Sequence, residues 1–351
     1  MKILYFPLIG KDTIFSHAAG DYQCDSLFHG LRTLLGSDVV DLYKMWHLYN
    51  DADPSSLKDL WGKGFTIYGL LPDDKDVDRD DIEDKIMNQY YDYLIMPIHH
   101  TLNGNYPVIE SALETFRHYY PKNKIILIDG WDRSDINENI VKECVYFKRE
   151  ILSRYKKLVR PISFSIPEEK IQEPLKKTID FAPLIPCINK QEVLYHDDTY
   201  VYEDEQSYYD DYRKSFFAYT CKKGRNEMIT EGWDCMRHYE ILACGCVPFF
   251  TDVERCPEYT LRRFPTDLCV DVKKMKGVIP GTKSSYDPEV TTYIGTTEQI
   301  SKGDERGRID FDKFDQELYN DINAKFMSYT RKHLTTVGTA KNFLSRIKEW
   351  G

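Results

Sequence analysis

Short apolar runs alternate with helix-patterned segments through the first half of the chain, and this alternation limits the possible folds more than any other feature. MKILYFPLIG, DVVDLY, FTIYGLL, YDYLIMPI and KIILIDGWD have the length and apolar content of strands. Between them, QCDSLFHGLRTLLG and YPVIESALETFRHYY carry apolar residues at helical spacing. Strands separated by helices favour parallel pairing, because a parallel crossover needs a long connection. The expected class is α/β. Gly36, directly after Leu34 and Leu35, is a natural helix stop.

A chain of 351 residues is too long for one ordinary core and suits two domains. Prolines at 161, 167, 174, 183 and 186 punctuate RPISFSIPEEK through FAPLIPC and mark the expected crossover. Beyond it, SFFAYT, CVPFF and LCVDV read as strands of a second α/β domain, with a helix around Glu240. Phe314, Leu318 and Ile322 recur every four residues, and Leu344 with Ile347 extends an apolar stripe, so the tail reads as helices. The expected divisions are 1–165, 166–325 and a helical tail of 326–351. The basic residues of that tail suit a solvated helix face better than a membrane anchor.

A net charge of −10 argues against a nucleic-acid binder. No apolar run approaches the roughly 18 residues of a membrane span, and MKILYFPLIGKD reads as a first strand rather than a secretory signal. The nine cysteines form no CxxC pair, which suggests reduced thiols acting as small hydrophobes in a cytoplasmic protein. No GxGxxG fingerprint, phosphate loop or GxSxG elbow is present. The acidic run from Asp73 to Asp84 imitates a calcium loop, but Arg79 and Lys85 stand where the turn glycine and the bidentate glutamate belong. It reads as a solvated loop, and no metal is expected.

EGWDCMRHYEILACGCVPFF, from Glu231 to Phe250, carries the chemistry. The preceding strand SFFAYT delivers CKKGRN at its C-terminal end, the end where open α/β sheets bind ligands. Lys222, Lys223 and Arg225 around Gly224 can offer charge-assisted bonds to a diphosphate; the plainer alternative is a basic surface turn. Thr230 or Asp234 can cap the next helix, and Gly245 can end it. At about 3.6 residues per turn, Asp234, Arg237 and Glu240 share one face near the helix N-terminus, where the dipole favours phosphate. A carboxylate there can accept ribose hydroxyls. A structural Arg–Glu pair is the alternative.

RHYEILACGCVPFF resembles the donor-site signature of GT-B glycosyltransferases: the E-A-L-A-x-G-x-P pattern of the large retaining family and the R-x-x-E-A-L-x-x-G-C-I-P pattern of exostosin-like enzymes. The likeness is specific from Phe216 to Asp252, and IDGWD and YFKRE also look like segments of such enzymes, including ones encoded by large DNA viruses. The resemblance implies two Rossmann-like domains facing each other across a cleft, the first for the acceptor and the second for the nucleotide sugar. It implies a C-terminal helix that crosses back to the first domain, a ribose-binding role for Glu240, and a diphosphate held by cationic side chains and helix N–H groups without a metal. The interval from Glu231 to Glu240 is one residue longer than in the retaining family, which leaves the stereochemistry open and Glu231 only a candidate for the donor sugar.

The first domain's strand ends would then face the acceptor. His99 and His100 follow YLIMPI, Trp131 and Asp132 follow KIILIDG, and Asp25 sits in the first βα connection. Asp25, His99 and Asp132 are candidate bases for an acceptor hydroxyl; each has a hydrogen-bonded structural role as its alternative. The resulting expectation is a hexosyl-, deoxyhexosyl- or pentosyltransferase that uses a UDP- or GDP-linked sugar and a glycan or glycoprotein acceptor. A nucleotide-sugar hydrolase or epimerase would use the same pocket. A non-catalytic glycan- or nucleotide-binding protein on a transferase-like fold is the rival of another class; 26 tyrosines and five tryptophans suit sugar stacking, but a mere glycan binder would not need the charged set from Lys222 to Glu240.

Overall fold

A computed structural model of the chain describes residues 1–7, 20–98, 106–183, 202, 204–222, 232–281 and 307–349. The chain divides into two units. Unit 1 comprises Met1–Glu168, Pro257–Arg262 and Thr335–Gly351; unit 2 comprises Glu169–Cys256 and Arg263–Leu334.

Unit 1 runs β1 (Ile3–Tyr5), α1 (Tyr22–Leu35), β2 (Val39–Asp41), α2 (Pro54–Leu57), α3 (Ile82–Met87), β3 (Tyr93–Ile98), α4 (Tyr106–Tyr119), β4 (Ile125–Asp129), α5 (Glu138–Glu143), β5 (Val145–Lys148) and β6 (Arg160–Pro161). The sheet order is β2-β1-β3-β4-β5-β6. Every pair is parallel. The strands are buried on both faces, which is why they read as continuous apolar runs. Their period of two divides them between two cores: Ile3, Tyr5, Ile126 and Ile128 pack with Leu27, Phe28 and Leu31 of α1. Leu4, Ile125 and Leu127 pack with Leu113 and Phe116 of α4. The order reverses between β1 and β3, and in such sheets the crevice at the carboxyl ends of those strands is the binding position.

One expected strand of unit 1 is absent. FTIYGLL is buried from Phe65 to Tyr68 but forms no strand, because Gly64, Thr66 and Gly69 hold φ of 74°, 76° and 69°. Left-handed residues break a ladder. The acidic run is laced by ion pairs: Arg79 reaches both Asp41 and Asp74.

Unit 2 runs β7 (Ile179–Phe181), α6 (Glu205–Lys214), β8 (Ser215–Thr220), α7 (Met236–Ala243), β9 (Val247–Phe250), α8 (Thr266–Val272), β10 (Val278–Ile279), β11 (Arg308–Ile309) and α9 (Gln316–Tyr329). β7-β8-β9 form a parallel sheet, and β10 and β11 pair antiparallel. LCVDV lies within α8 rather than in a strand. Cys269 and Val272 are its buried residues, three apart, so helical spacing prevails in an apolar run too short to distinguish the two.

The last helix, α10 (Thr336–Lys348), belongs to unit 1 and packs on α1. A Cβ at Gly30 would collide with the backbone carbonyl of Thr336, so glycine permits the close approach. His29 Nδ1 lies 3.0 Å from Thr336 Oγ1, and the Phe147 and Phe343 rings are 4.9 Å apart. The α/β class follows the alternation in the sequence. Among the described residues seven cysteines are free thiols, six of them buried. Cys221 is disulfide-bonded, which corrects the expectation of reduced thiols throughout. No helix among the described residues is long and apolar enough to cross a membrane.

Candidate functional site

The segment from β8 to β9 is organised around a buried histidine. His238 Nε2 lies 2.7 Å from the Trp233 carbonyl, which can only accept, so this nitrogen carries the proton. In the neutral ring Nδ1 then accepts from the Thr220 hydroxyl at 2.6 Å. The ring also sits 4.7 Å from that of Phe250. His238 thus ties the start of α7 to the carboxyl end of β8 and to β9.

Asp234 does not cap this helix. The N-cap is Cys235, whose side chain makes no capping bond, while Asp234 is fully buried and accepts from the Tyr239 hydroxyl at 3.0 Å. The three expected charges therefore do not form one helical stripe: Asp234 precedes the helix, and only Arg237 and Glu240 share a face three residues apart. At the other end, Gly245 at φ 60° donates to the Leu242 carbonyl and Cys246 to that of Ile241, each at 3.1 Å. That pairing is a Schellman stop.

Glu240 is 5% exposed, and its Oε2 accepts the Tyr208 hydroxyl at 2.7 Å. Tyr208 in turn accepts from Tyr212 at 3.3 Å. Both tyrosines belong to α6. Burial holds the Tyr212 phenol well above its ordinary range, with the Arg237 guanidinium opposing and the Glu240 carboxylate adding to the rise. Arg237 and Glu240 thus lie within electrostatic reach of the same phenol. Lys222, also buried, places Nζ 5.5 Å over the Trp233 ring. Lys223, Arg225 and Glu231 lie outside the described residues. Sequence reasoning missed Tyr208; the buried positions 208, 209 and 212 of QSYYDDYRK at helical spacing were its available signal.

In unit 1, IDGWD and YFKRE prove to be neighbouring strand ends, with Asp129 in register with Lys148. Asp129 Oδ2 accepts from Tyr146 at 2.6 Å and pairs with Lys148 Nζ at 2.9 Å, all buried. Asp132 pairs with the buried Arg149, which also donates to the Gly130 carbonyl at 2.9 and 3.0 Å. Its side chain is 47% exposed.

Asp25 is buried in the first turns of α1, a helix capped by Asp21, whose side chain accepts from the Gln23 and Cys24 amides at 3.0 Å each. Asp25 Oδ1 lies 3.2 Å from Nε2 of His47, in the turn after β2. Burial raises the Asp25 carboxyl, and His47 opposes the rise. His47 is a second residue that sequence reasoning missed. His99 lies outside the described residues.

A scan against protein-family models finds no match, and a comparison with curated proteins finds none. Among solved structures, the fold is similar to that of an alpha-glucosyltransferase (AGT) in complex with UDP, at a TM-score of 0.42 and 13% identity, over 99% of this chain and 100% of that one.

Proposed function

We propose that this chain is a glycosyltransferase that moves a sugar from a nucleotide-diphosphate donor, UDP- or GDP-linked, to a hydroxyl of a glycan or glycoprotein. The observation that carries the reading is the placement of Glu240. A buried carboxylate, held by Tyr208 at 2.7 Å, stands one turn along from Arg237 on a helix whose first N–H groups have no side-chain cap. That helix begins beyond the carboxyl end of β8, the ligand end of a parallel sheet. The donor-site motif in RHYEILACGCVPFF supports the same reading.

In this reading Glu240 accepts hydroxyls of the nucleotide ribose. Arg237, Lys223, Arg225 and the amides at the start of α7 stabilise the diphosphate as negative charge develops on it, so that no metal is needed. Asp234 fixes Tyr239 and the entry to the helix. Glu231 is assigned to the donor sugar, and the acceptor's proton goes to a base among Asp25, His99 and Asp132.

The test is turnover of UDP-, GDP-, ADP- and dTDP-sugars without metal, read as nucleotide released with and without glycan acceptors. Release of one nucleotide coupled to acceptor glycosylation, and lost in Glu240→Ala, is the expected result. Nucleotide release that never glycosylates an acceptor would indicate a hydrolase. Absence of both turnover and nucleotide binding would overturn the proposal.

A further inference from the structure

The amino edge of the unit 1 sheet carries a pocket of about 120 Å³, several times the space that one water needs. Lys2, Ser37 and Asp38 line it from the residues just before β1 and β2, and Tyr91 from just before β3. Asp76 and Asp78 close it from the acidic run, which Arg79 pins to Asp41 and Asp74. All of these residues belong to unit 1. They lie at the end of the sheet opposite the carboxyl ends of its strands, where such folds hold their reacting ligands.

Tyr91 is 1% exposed, yet its hydroxyl has no hydrogen-bond partner. Its phenol is raised by burial first and then by the Asp78 carboxylate, which places the hydroxyl toward the wall that Asp78 forms. A buried hydroxyl left unpaired costs about 1–3 kcal/mol, a cost that a ligand in the pocket removes. The phenol is a donor, so the ligand must accept; an ammonium or a metal ion cannot. No group of His, Cys, Asp and Glu among the described residues is arranged to hold a metal ion. The carboxylates of Asp38, Asp76 and Asp78 demand donors and repel an anion. Lys85 pairs with Asp78 at 2.8 Å and Lys2 lies 3.5 Å from Asp38, so charges of both signs line the site. The same two ammoniums sit 5.8 and 4.7 Å over the Tyr90 ring and fix it beside the pocket. A ligand that accepts from Tyr91, donates to carboxylates and carries no charge meets all of these demands. Sugar hydroxyls do both.

We infer that this pocket is a non-catalytic carbohydrate site, which holds one neutral sugar residue by its hydroxyls. Tyr91 and Lys2 donate to the sugar, and Asp76 and Asp78 accept from it. The site needs neither a nucleotide nor any residue of unit 2, so it stands apart from the transferase reading. A glycan held here is kept at high local concentration around the protein without any bond being made or broken.

The experiment titrates D-glucose, D-galactose, D-mannose, D-xylose and L-fucose into nucleotide-free protein and reads binding by saturation-transfer NMR. Wild type, Tyr91→Phe, Asp78→Asn and Glu240→Ala are compared. At least one sugar should bind wild type. Asp78→Asn should weaken that binding about 10-fold, and Tyr91→Phe roughly 2- to 10-fold, the loss of one hydrogen bond each. Glu240→Ala should bind the sugar as wild type does, whatever the result of donor turnover. Without sugar, Tyr91→Phe should melt no lower than wild type, because the hydroxyl it removes has no partner. Added sugar should then raise the Tm of wild type more than that of the variant. Silence from every sugar, or sugar binding unchanged in both pocket variants, would overturn the inference. So would a Tyr91→Phe protein that melts lower without sugar, or binding of spermidine in place of every sugar.

Discussion

Two buried carboxylates show how single residues set the chemistry. Glu240 bonds Tyr208 at 2.7 Å. Glu240→Ala should therefore have two separable effects. Losing the Tyr208–Glu240 hydrogen bond inside the fold costs about 1–3 kcal/mol of stability. Each lost charge-assisted bond to the nucleotide weakens affinity by roughly 10- to 100-fold. Tyr208→Phe shares the first effect and should show little of the second; denaturant unfolding together with nucleotide titration distinguishes them. Asp25 supplies a test in pH. Its folded carboxyl is raised above 3.8 by burial, with His47 opposing. Where the unfolded carboxyl has ionised and the folded one has not, the folded state binds more protons, so this contribution to stability falls as pH rises through that window. Asp25→Asn removes it. Urea unfolding should show the variant gaining on wild type as pH increases above about 4, the ordinary aspartate range, and a constant difference across pH would contradict the burial argument. Neither residue's partner was legible in the sequence. The pairings span 22 and 32 positions and depend on packing between elements that no local spacing encodes.

At the scale of elements, local rules succeeded where one rule acted alone. β3, β4, β8 and β9 were legible because each is an apolar run bounded by polar or turn residues. α1 was legible at its end, where Gly36 is the stop, but its cap, Asp21, was not anticipated. FTIYGLL failed because a composition suited to strand carries left-handed backbone at Thr66 and Gly69. β5, which adjoins Asp129, was not anticipated as a strand. The turn closing α7 supplies the prediction at this scale. Gly245 holds φ at 60°, and an added Cβ would meet the Pro174 ring at 3.1 Å. The left-handed conformation costs a non-glycine residue roughly 1–2 kcal/mol. The Gly245 carbonyl also receives Lys177 Nζ at 2.7 Å, so a shift of the turn is transmitted beyond it. Gly245→Ala should lower unfolding stability by about 1–2 kcal/mol and weaken nucleotide binding through the displaced helix. A variant equal to wild type in both would mean that this stop does not fix the helix end.

At the scale of the whole molecule, chain order and spatial order disagree. The brief return of Pro257–Arg262 to unit 1 was not legible in the sequence. Such a return has no compositional mark. Its anchor is Thr260, whose hydroxyl accepts from the Ile151 amide at 2.9 Å and contacts its carbonyl at 3.2 Å. The final return, in α10, has a larger consequence. Ala340, Phe343, Leu344 and Ile347 complete the core that Leu27, Phe28 and Leu31 of α1 begin. Each large apolar side chain removed from such a core forfeits about 1.5–3 kcal/mol. Three of them together rival the 5–15 kcal/mol that typically separates folded from unfolded domains. Truncation after Leu334 should therefore unfold the opposite end of the sequence, the βα units from β1 to β5. In hydrogen exchange the amides of α1 and β1 should lose protection while those of β8 and β9 keep it. Loss confined to the residues next to the cut would mean that α10 merely decorates unit 1. Loss extending equally through β8 and β9 would mean that the two units do not unfold separately.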